Sequence, residues 1–294
     1  MQLESWGLVM KLNKRKLLLV LASVFLVLAG SFLVIRQGIW HANARKYIKS
    51  QVPTLFIHGY GSSYKAEKKL VNFALNSGAS SGVIRANVDR QGKVTLQGKF
   101  TATVNNPLVE VNFTDNKNPN YQTDGSYLKA VVKKLQESYH IKTFNVVAHS
   151  MGNMALAYYM LANAQDESLP KLNKEVNLAG HYNGIIGYNE PSQRNLLADG
   201  KPVEMTRNYQ ELLALRKLYP RQVEVLNIYG NLQDKTNSDG RVAVESAKSL
   251  RYLLAKRIKS YREIEIKGRG GQHSQLHENR RVAKEIVNFL FLKG

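Results

Sequence analysis

Cysteine is absent from this 294-residue chain. That excludes disulfides, thiol nucleophiles and thiolate metal sites, and it is compatible with an exported bacterial protein. Acidic side chains are scarce: 22 Asp and Glu stand against 42 Lys and Arg, a formal charge of +20. The basic residues are spread along the whole chain and no RNA- or DNA-binding motif interleaves them, so nucleic acid is not an expected partner. Electrostatic adhesion to an anionic envelope polymer or lipid surface suits such a charge better. There is no internal repeat and no low-complexity tract. What is abundant is apolar residue, 44% of the chain, enough for one large α/β domain or two small ones.

Residues 17–35 form an unbroken run of nineteen apolar and small residues, about the length that crosses a hydrocarbon core of roughly 30 Å as a helix. Lys11, Lys14, Arg15 and Lys16 precede it. The positive-inside rule then places residues 1–16 in the cytoplasm and the rest of the chain outside. A cleavable signal peptide is the alternative, with a cleavage site after Ala29. The apolar run continues for six residues past that point and is longer than a usual signal core, so the expectation is an uncleaved, single-pass signal anchor. Residues 36–51 are read as a linker and 52–294 as the folded domain, which keeps 38 basic against 21 acidic side chains once the first 35 residues are set aside.

Within the domain, strand and helix patterns alternate. Residues 52–57 read as a buried strand running into His58-Gly59-Tyr60-Gly61-Ser62-Ser63, and 65–76 as a helix with Ala66, Leu70, Phe73 and Ala74 on one face. Residues 83–100 change to a period of two around Arg90-Gln91-Gly92-Lys93, the composition of a β-hairpin. A strand at 108–113, a helix at 126–138 and a strand from Phe144 follow. Strands at 176–179, 223–229 and 262–267 and helices at 209–218, 244–256 and 280–292 complete the series. Such alternation predicts a mostly parallel sheet with helices on both faces. The polar passage at 180–220 is long enough to act as a cap over a site.

The stretch FNVVAHSMGN, residues 144–153, is a β-branched run, then a serine between the small residues Ala148 and Gly152, then a helical pattern. A serine at such a strand-to-helix corner sits in a strained turn with its hydroxyl exposed above the sheet edge, which makes Ser150 the candidate nucleophile. Serine needs a base to take its proton, and the base needs a partner to fix its tautomer. In doubly wound hydrolases these follow in the order Ser, acid, His. Asp234 and Asp239 compete for the acid position after the strand at 223–229, and Asp239 is preferred because it directly precedes a turn glycine. His273 and His277 compete for the base, and His273 lies nearer the strand end; His277 reads as a structural or capping residue. As a metal site the pair fails, because H-S-Q-L-H lacks the glutamate after the first histidine that a zincin requires. The glycines at 268, 270 and 271 are not followed by the Lys-Ser or Lys-Thr of a phosphate loop. No cofactor is expected. Tyr60 and Met151 occupy the positions whose backbone N–H groups form an oxyanion hole, and His58 and His149 read as structural or lining residues.

Together HGYGSS, AHSMGN, SDGRV and GGQHSQLHEN resemble a family of cell-surface α/β hydrolases of Gram-positive bacteria, related to carboxylesterases of short acyl esters. The resemblance implies an α/β-hydrolase fold from about Pro53 onward, with Ser150, Asp239 and His273 as triad and Tyr60 and Met151 as oxyanion hole. The expectation is therefore a membrane-anchored serine hydrolase acting on small carboxylic esters outside the cell. Two alternatives share the scaffold: an acyltransferase with the same triad, and a non-catalytic envelope-binding protein.

Overall fold

The computed structural model describes residues 14–293. Eight strands form one sheet: β1 (Thr54–Ile57), β2 (Val83–Val88), β3 (Val94–Gln97), β4 (Leu108–Phe113), β5 (Thr143–His149), β6 (Lys171–Leu178), β7 (Glu224–Asn231) and β8 (Ser260–Lys267). Their spatial order is β3-β2-β4-β1-β5-β6-β7-β8. Every neighbouring pair is parallel except β2 with β3, the expected hairpin. Its turn is closed by Asp89 N–H to the Lys93 carbonyl, with Gly92 at φ +80°. Central strands covered on both faces must be apolar along their whole length, and β1, β4 and β5 are buried almost throughout.

Successive residues of β1 serve opposite cores. Leu55 and Ile57 join Val109, Val146 and Ala148 beneath α3 (Tyr121–Tyr139) and α4 (Met151–Asn163). Phe56 joins Leu108, Val147 and Ile228 beneath α2 (Lys68–Asn76) and α9 (Arg280–Phe291). The last helix carries its apolar residues on one face, and Val282, Ile286, Val287 and Leu290 are all buried there.

Some boundaries differ from the sequence expectation for identifiable reasons. The helix α3 begins at Tyr121, five residues early, because the Asn120 side chain caps it by accepting from Gln122 and Thr123 N–H at 2.9 and 3.2 Å. Its Gly125, an apparent breaker, is where α3 and α4 cross: a Cβ there would stand 2.8 Å from Tyr159 N. The strand β6 starts at Lys171 because its buried polar residues are mutually satisfied. Asn177 and Tyr219 donate to Glu175, and Tyr182 donates to Asn177. The helix expected at 209–218 is two short pieces, α5 (Arg207–Leu212) and α6 (Leu215–Leu218). That at 244–256 is α7 (Val244–Lys248) followed by α8 (Leu250–Leu254).

The amino-terminal helix α1 (Lys14–Ala44) contains the apolar run and extends beyond it. Residues 17–34 are long and apolar enough to cross a membrane, and none of that stretch is buried against the rest of the chain. Of the cytoplasmic segment expected at 1–16, residues 1–13 lie outside the described residues. The linker expected at 36–51 is helical as far as Ala44 and then docks on the domain. Ile48 N–H donates to the Phe291 carbonyl at 2.8 Å, and the Asn106 side chain donates to the Ile48 carbonyl at 2.7 Å.

Candidate active site

Ser150 stands between the end of β5 and the first residue of α4 with φ 52° and ψ −118°, a backbone conformation that L residues other than glycine adopt at a cost. The surrounding contacts hold it there. Ser150 N–H donates to the Leu178 carbonyl at 2.9 Å, and the Asn153 side chain donates to both the Ser150 and Leu178 carbonyls at 3.0 and 2.9 Å. Small neighbours are a steric requirement: a Cβ on Gly152 would lie 2.7 Å from the Ile57 carbonyl oxygen, and one on Gly59 would lie 3.0 Å from Ser150 Cβ.

Asp239 is buried in the loop after β7, and its two carboxylate oxygens have separate tasks. Oδ1 accepts from the backbone N–H groups of Arg241 and Val242 at 2.9 and 2.7 Å, the Asx turn that the following glycine, at φ +90°, allows. Oδ2 lies 2.8 Å from His273 Nδ1. The other ring nitrogen of His273, Nε2, lies 3.0 Å from Ser150 Oγ. A carboxylate only accepts, so Nδ1 carries the proton and Nε2 is left to accept from the serine hydroxyl. His273 begins a 3-10 turn (His273–Glu278) that follows β8 and a glycine turn (Gly268–Gly271). Its own N–H donates to the Asp239 carbonyl at 2.9 Å, so the loops carrying Asp239 and His273 are tied by backbone as well as side chain.

The competing candidates make neither of these side-chain bonds. Asp234 is exposed and accepts from Thr236 N–H and Oγ1, bonds that hold its carboxyl below the ordinary range. His277 lines the same cavity as Ser150, with Nδ1 3.3 Å from Glu278 Oε1, and burial lowers its pKa. Because both nitrogens of His273 are committed to Asp239 and Ser150, the two histidines do not form a metal pair. His58 is structural: Nε2 accepts from Phe113 N–H at 3.1 Å, which leaves Nδ1–H to donate to the Gly59 carbonyl at 2.9 Å. His149 lines the cavity, and its Nε2 lies 3.1 Å from the His273 carbonyl oxygen as donor.

Tyr60 and Met151 line the same cavity as Ser150. Met151 is the first residue of α4, where backbone N–H groups have no partner within the helix. Tyr60 sits in the turn closed by Ser62 N–H to the Gly59 carbonyl, with Gly61 at φ +67° anchored by its N–H to the Asn116 carbonyl at 2.7 Å. Gly61 thus supplies the left-handed turn, while Gly59 supplies clearance for the serine.

Residues without a sequence signal complete the cavity, which encloses about 630 Å³. His181 follows β6 through Ala179, at φ 50°, and Gly180, and it is buried beside Tyr121. Burial, with His273 nearby, pushes its pKa down to about 4, and burial pushes His149 well below the ordinary value. Both rings are neutral near neutral pH. From the 180–220 passage, residues Ile185 to Tyr188 reach the rim, and Arg241 reaches it from the loop after β7.

The structure is similar to that of the gene lin2722 product of Listeria innocua, with a TM-score of 0.76 and 25% identity over 82% of this chain and 94% of that one. It is also similar in fold to a Lactobacillus plantarum protein named "putative cell surface hydrolase", with a TM-score of 0.66 and 20% identity over 81% of this chain and 89% of that one. No curated protein sequence matches it. A family model described as alpha/beta hydrolase of unknown function (DUF915) matches residues 41–293. With that match spanning nearly the whole domain, and with a sheet and elbow of the corresponding design, the chain belongs to this alpha/beta hydrolase family.

Proposed function

We propose that the protein is a serine hydrolase of carboxylic esters, working through Ser150, His273 and Asp239. The observation that carries the reading is the unbroken hydrogen-bonded line from Asp239 Oδ2 through His273 to Ser150 Oγ, with spacings of 2.8 and 3.0 Å. In the first step Ser150 Oγ attacks the ester carbonyl as its proton passes to His273 Nε2. The imidazolium so formed is stabilised by Asp239, and the tetrahedral oxyanion is met by the N–H groups of Tyr60 and Met151. His273 then returns the proton to the departing alcohol. Water, activated by the same histidine, releases the acid and regenerates the serine. No cofactor takes part in this scheme.

The cavity rim is open and mixed in polarity, with Asn118, Gln272 and Ser274 beside Tyr60, Ile185, Ile186 and Tyr188, and the 180–220 passage continues through the polar Asn189, Glu190, Gln193, Arg194 and Asn195, where a lid built to meet an oil surface carries a continuous apolar face. Short acyl esters are the proposed substrates. The apolar stretch of α1 serves as a signal anchor that places the domain on the outer face of the membrane, where its excess of basic side chains meets an anionic envelope polymer.

A fluorophosphonate probe tests the chemistry directly. The folded protein is labelled at Ser150, and Ser150→Ala is not; absence of labelling on folded protein would falsify the proposal. A series of 4-nitrophenyl esters of increasing acyl length gives activity that falls with length, whereas a steady rise with a jump at an emulsion interface makes the 180–220 passage a lipase lid. The intact mass of the membrane-bound form settles cleavage, since a species beginning near Gly30 in the medium means the segment is a removed signal peptide.

A further inference from the structure

The structure assigns a second recognition element to this cavity: Arg241 as the receptor for an anionic group, a carboxylate or a phosphate, carried by the substrate. The identification of the ligand as an ester rests on the function proposed above; the identification of its charge rests on the following. Among the described residues, the cavity lining contains one arginine, Arg241, and no lysine, aspartate or glutamate. Its histidines 149 and 181 are kept neutral by burial. The one carboxylate close in sequence, Asp239, is consumed. Its Oδ1 takes the N–H groups of Arg241 and Val242 and its Oδ2 takes His273, and it is 1% exposed, so it offers the guanidinium nothing. Arg241 has no side-chain hydrogen bond or ion pair among the described residues, unlike Arg85, Arg194 and Arg262, which pair with Glu110, Glu190 and Glu285; Arg221, Arg251, Arg269, Arg280 and Arg281 lack one too, but they lie outside the cavity lining.

The backbone that carries this free guanidinium is fixed. Arg241 N–H donates to Asp239 at 2.9 Å, and its carbonyl accepts from Ile186 N–H at 3.0 Å, which ties the acid loop to the 180–220 passage at the rim. An unpartnered planar cation two residues from the acid of the triad, on a rigid turn facing an open cavity without acidic lining, is suited to a fork-shaped contact with an oxyanion. An uncompensated positive charge also selects against cationic esters, so the same residue gives both attraction and rejection.

The test uses the full chain in detergent micelles at low salt and three chromogenic or spectroscopically followed esters. These are neutral 4-nitrophenyl acetate, mono-4-nitrophenyl glutarate with its charge on the acyl side, and 4-acetoxybenzoate with its charge on the alcohol side. The expected result is that the ratio of kcat/KM for one charged ester over the neutral ester falls by about tenfold or more in Arg241→Gln, the loss of a charge-assisted contact. Arg241→Lys keeps part of it. Arg221→Gln removes an equal charge just before β7, at the sheet end opposite the site, and leaves the ratio unchanged. The ester that loses more identifies the side of the substrate that Arg241 reads. Binding is measured separately by calorimetry of the uncleaved glutarate and benzoate esters on Ser150→Ala with and without Arg241→Gln. Equal ratios in wild type and Arg241→Gln, or binding to Ser150→Ala that is absent or indifferent to Arg241, overturn the inference. Binding that depends on Arg241 together with no turnover of any ester upholds the anion site and removes the esterase reading instead.

Discussion

Glu67, at the start of α2, is 1% exposed and neither of its carboxylate oxygens has a hydrogen-bond partner among the described residues. Burial, and then the neighbouring Glu278, raise its pKa from 4.5 to about 8. A carboxyl that holds its proton more tightly in the native state adds stability that is complete below 4.5 and disappears as the pH rises through about 8. At 1.36 kcal/mol for each unit of separation, the contribution is about 4 kcal/mol at pH 5 and under about 0.5 kcal/mol at pH 8. The wild type therefore gives up about 3.5 kcal/mol over that interval through this one group. Glu67→Gln keeps the shape without the titration, so its stability relative to wild type climbs by about 3.5 kcal/mol from pH 5 to pH 8. Other groups with shifted values, such as Asp124 and His181, are present in both proteins and cancel in the difference. Urea unfolding followed by circular dichroism at pH 5, 6.5 and 8 measures it; tryptophan fluorescence is unsuitable because both tryptophans, Trp6 and Trp40, precede the domain. A difference that stays flat with pH means that the carboxyl is ionised in the native state, and the reasoning is refuted.

Three further outcomes follow from the site. Asp239→Asn preserves the packing but cannot hold the His273 tautomer, and kcat on a 4-nitrophenyl ester falls by about three to four orders of magnitude; Asp234→Asn, which loses only a surface turn, changes it by less than about twofold. In Gly152→Ala the new methyl meets the Ile57 carbonyl at 2.7 Å. The elbow must shift, which costs about 1–3 kcal/mol in urea unfolding and slows fluorophosphonate labelling; unchanged labelling would remove the steric argument. His181 has its pKa lowered from 6.5 to about 4, so the unfolded chain takes up the proton first and stability is lost as the pH falls below 6.5. The loss is about 2 kcal/mol by pH 5, and His181→Asn removes that part of the acid slope.

How far the sequence was legible depended on whether a residue's partner was local. The order of elements, the hairpin, the helix at 280–292 and the two cores followed from periodicity, because burying one face of an element requires only that its own residues repeat correctly. The failures involved residues whose polarity is neutralised at a distance. The strand expected at 176–179 left out residues 171–175, and the buried Glu175 among them is satisfied by Asn177 two positions on and by Tyr219 from a loop 44 positions away. The helix expected from 126 begins at Tyr121 and takes in Gly125, where the α4 backbone, more than thirty positions away, leaves no room for a Cβ.

The site divides along the same line. Ser150, Asp239 and His273 were readable because each is placed by its own loop chemistry at the carboxyl end of a strand: an elbow with small neighbours, a turn before glycine, a glycine-rich return. Chain order then predicted a meeting that the fold produces at hydrogen-bond distance. His181 and Arg241 carried no such mark. His181 reaches the cavity because β6 runs to Leu178 and the chain then reverses through Ala179 and Gly180. Arg241 reaches it because the Asx turn of Asp239 consumes its N–H and so fixes its direction. An acid that must orient a histidine with one oxygen needs its other oxygen satisfied by backbone. The loop that satisfies it here places both Arg241 and Val242 in the cavity lining, and Arg241 is a cation with no side-chain partner among the described residues.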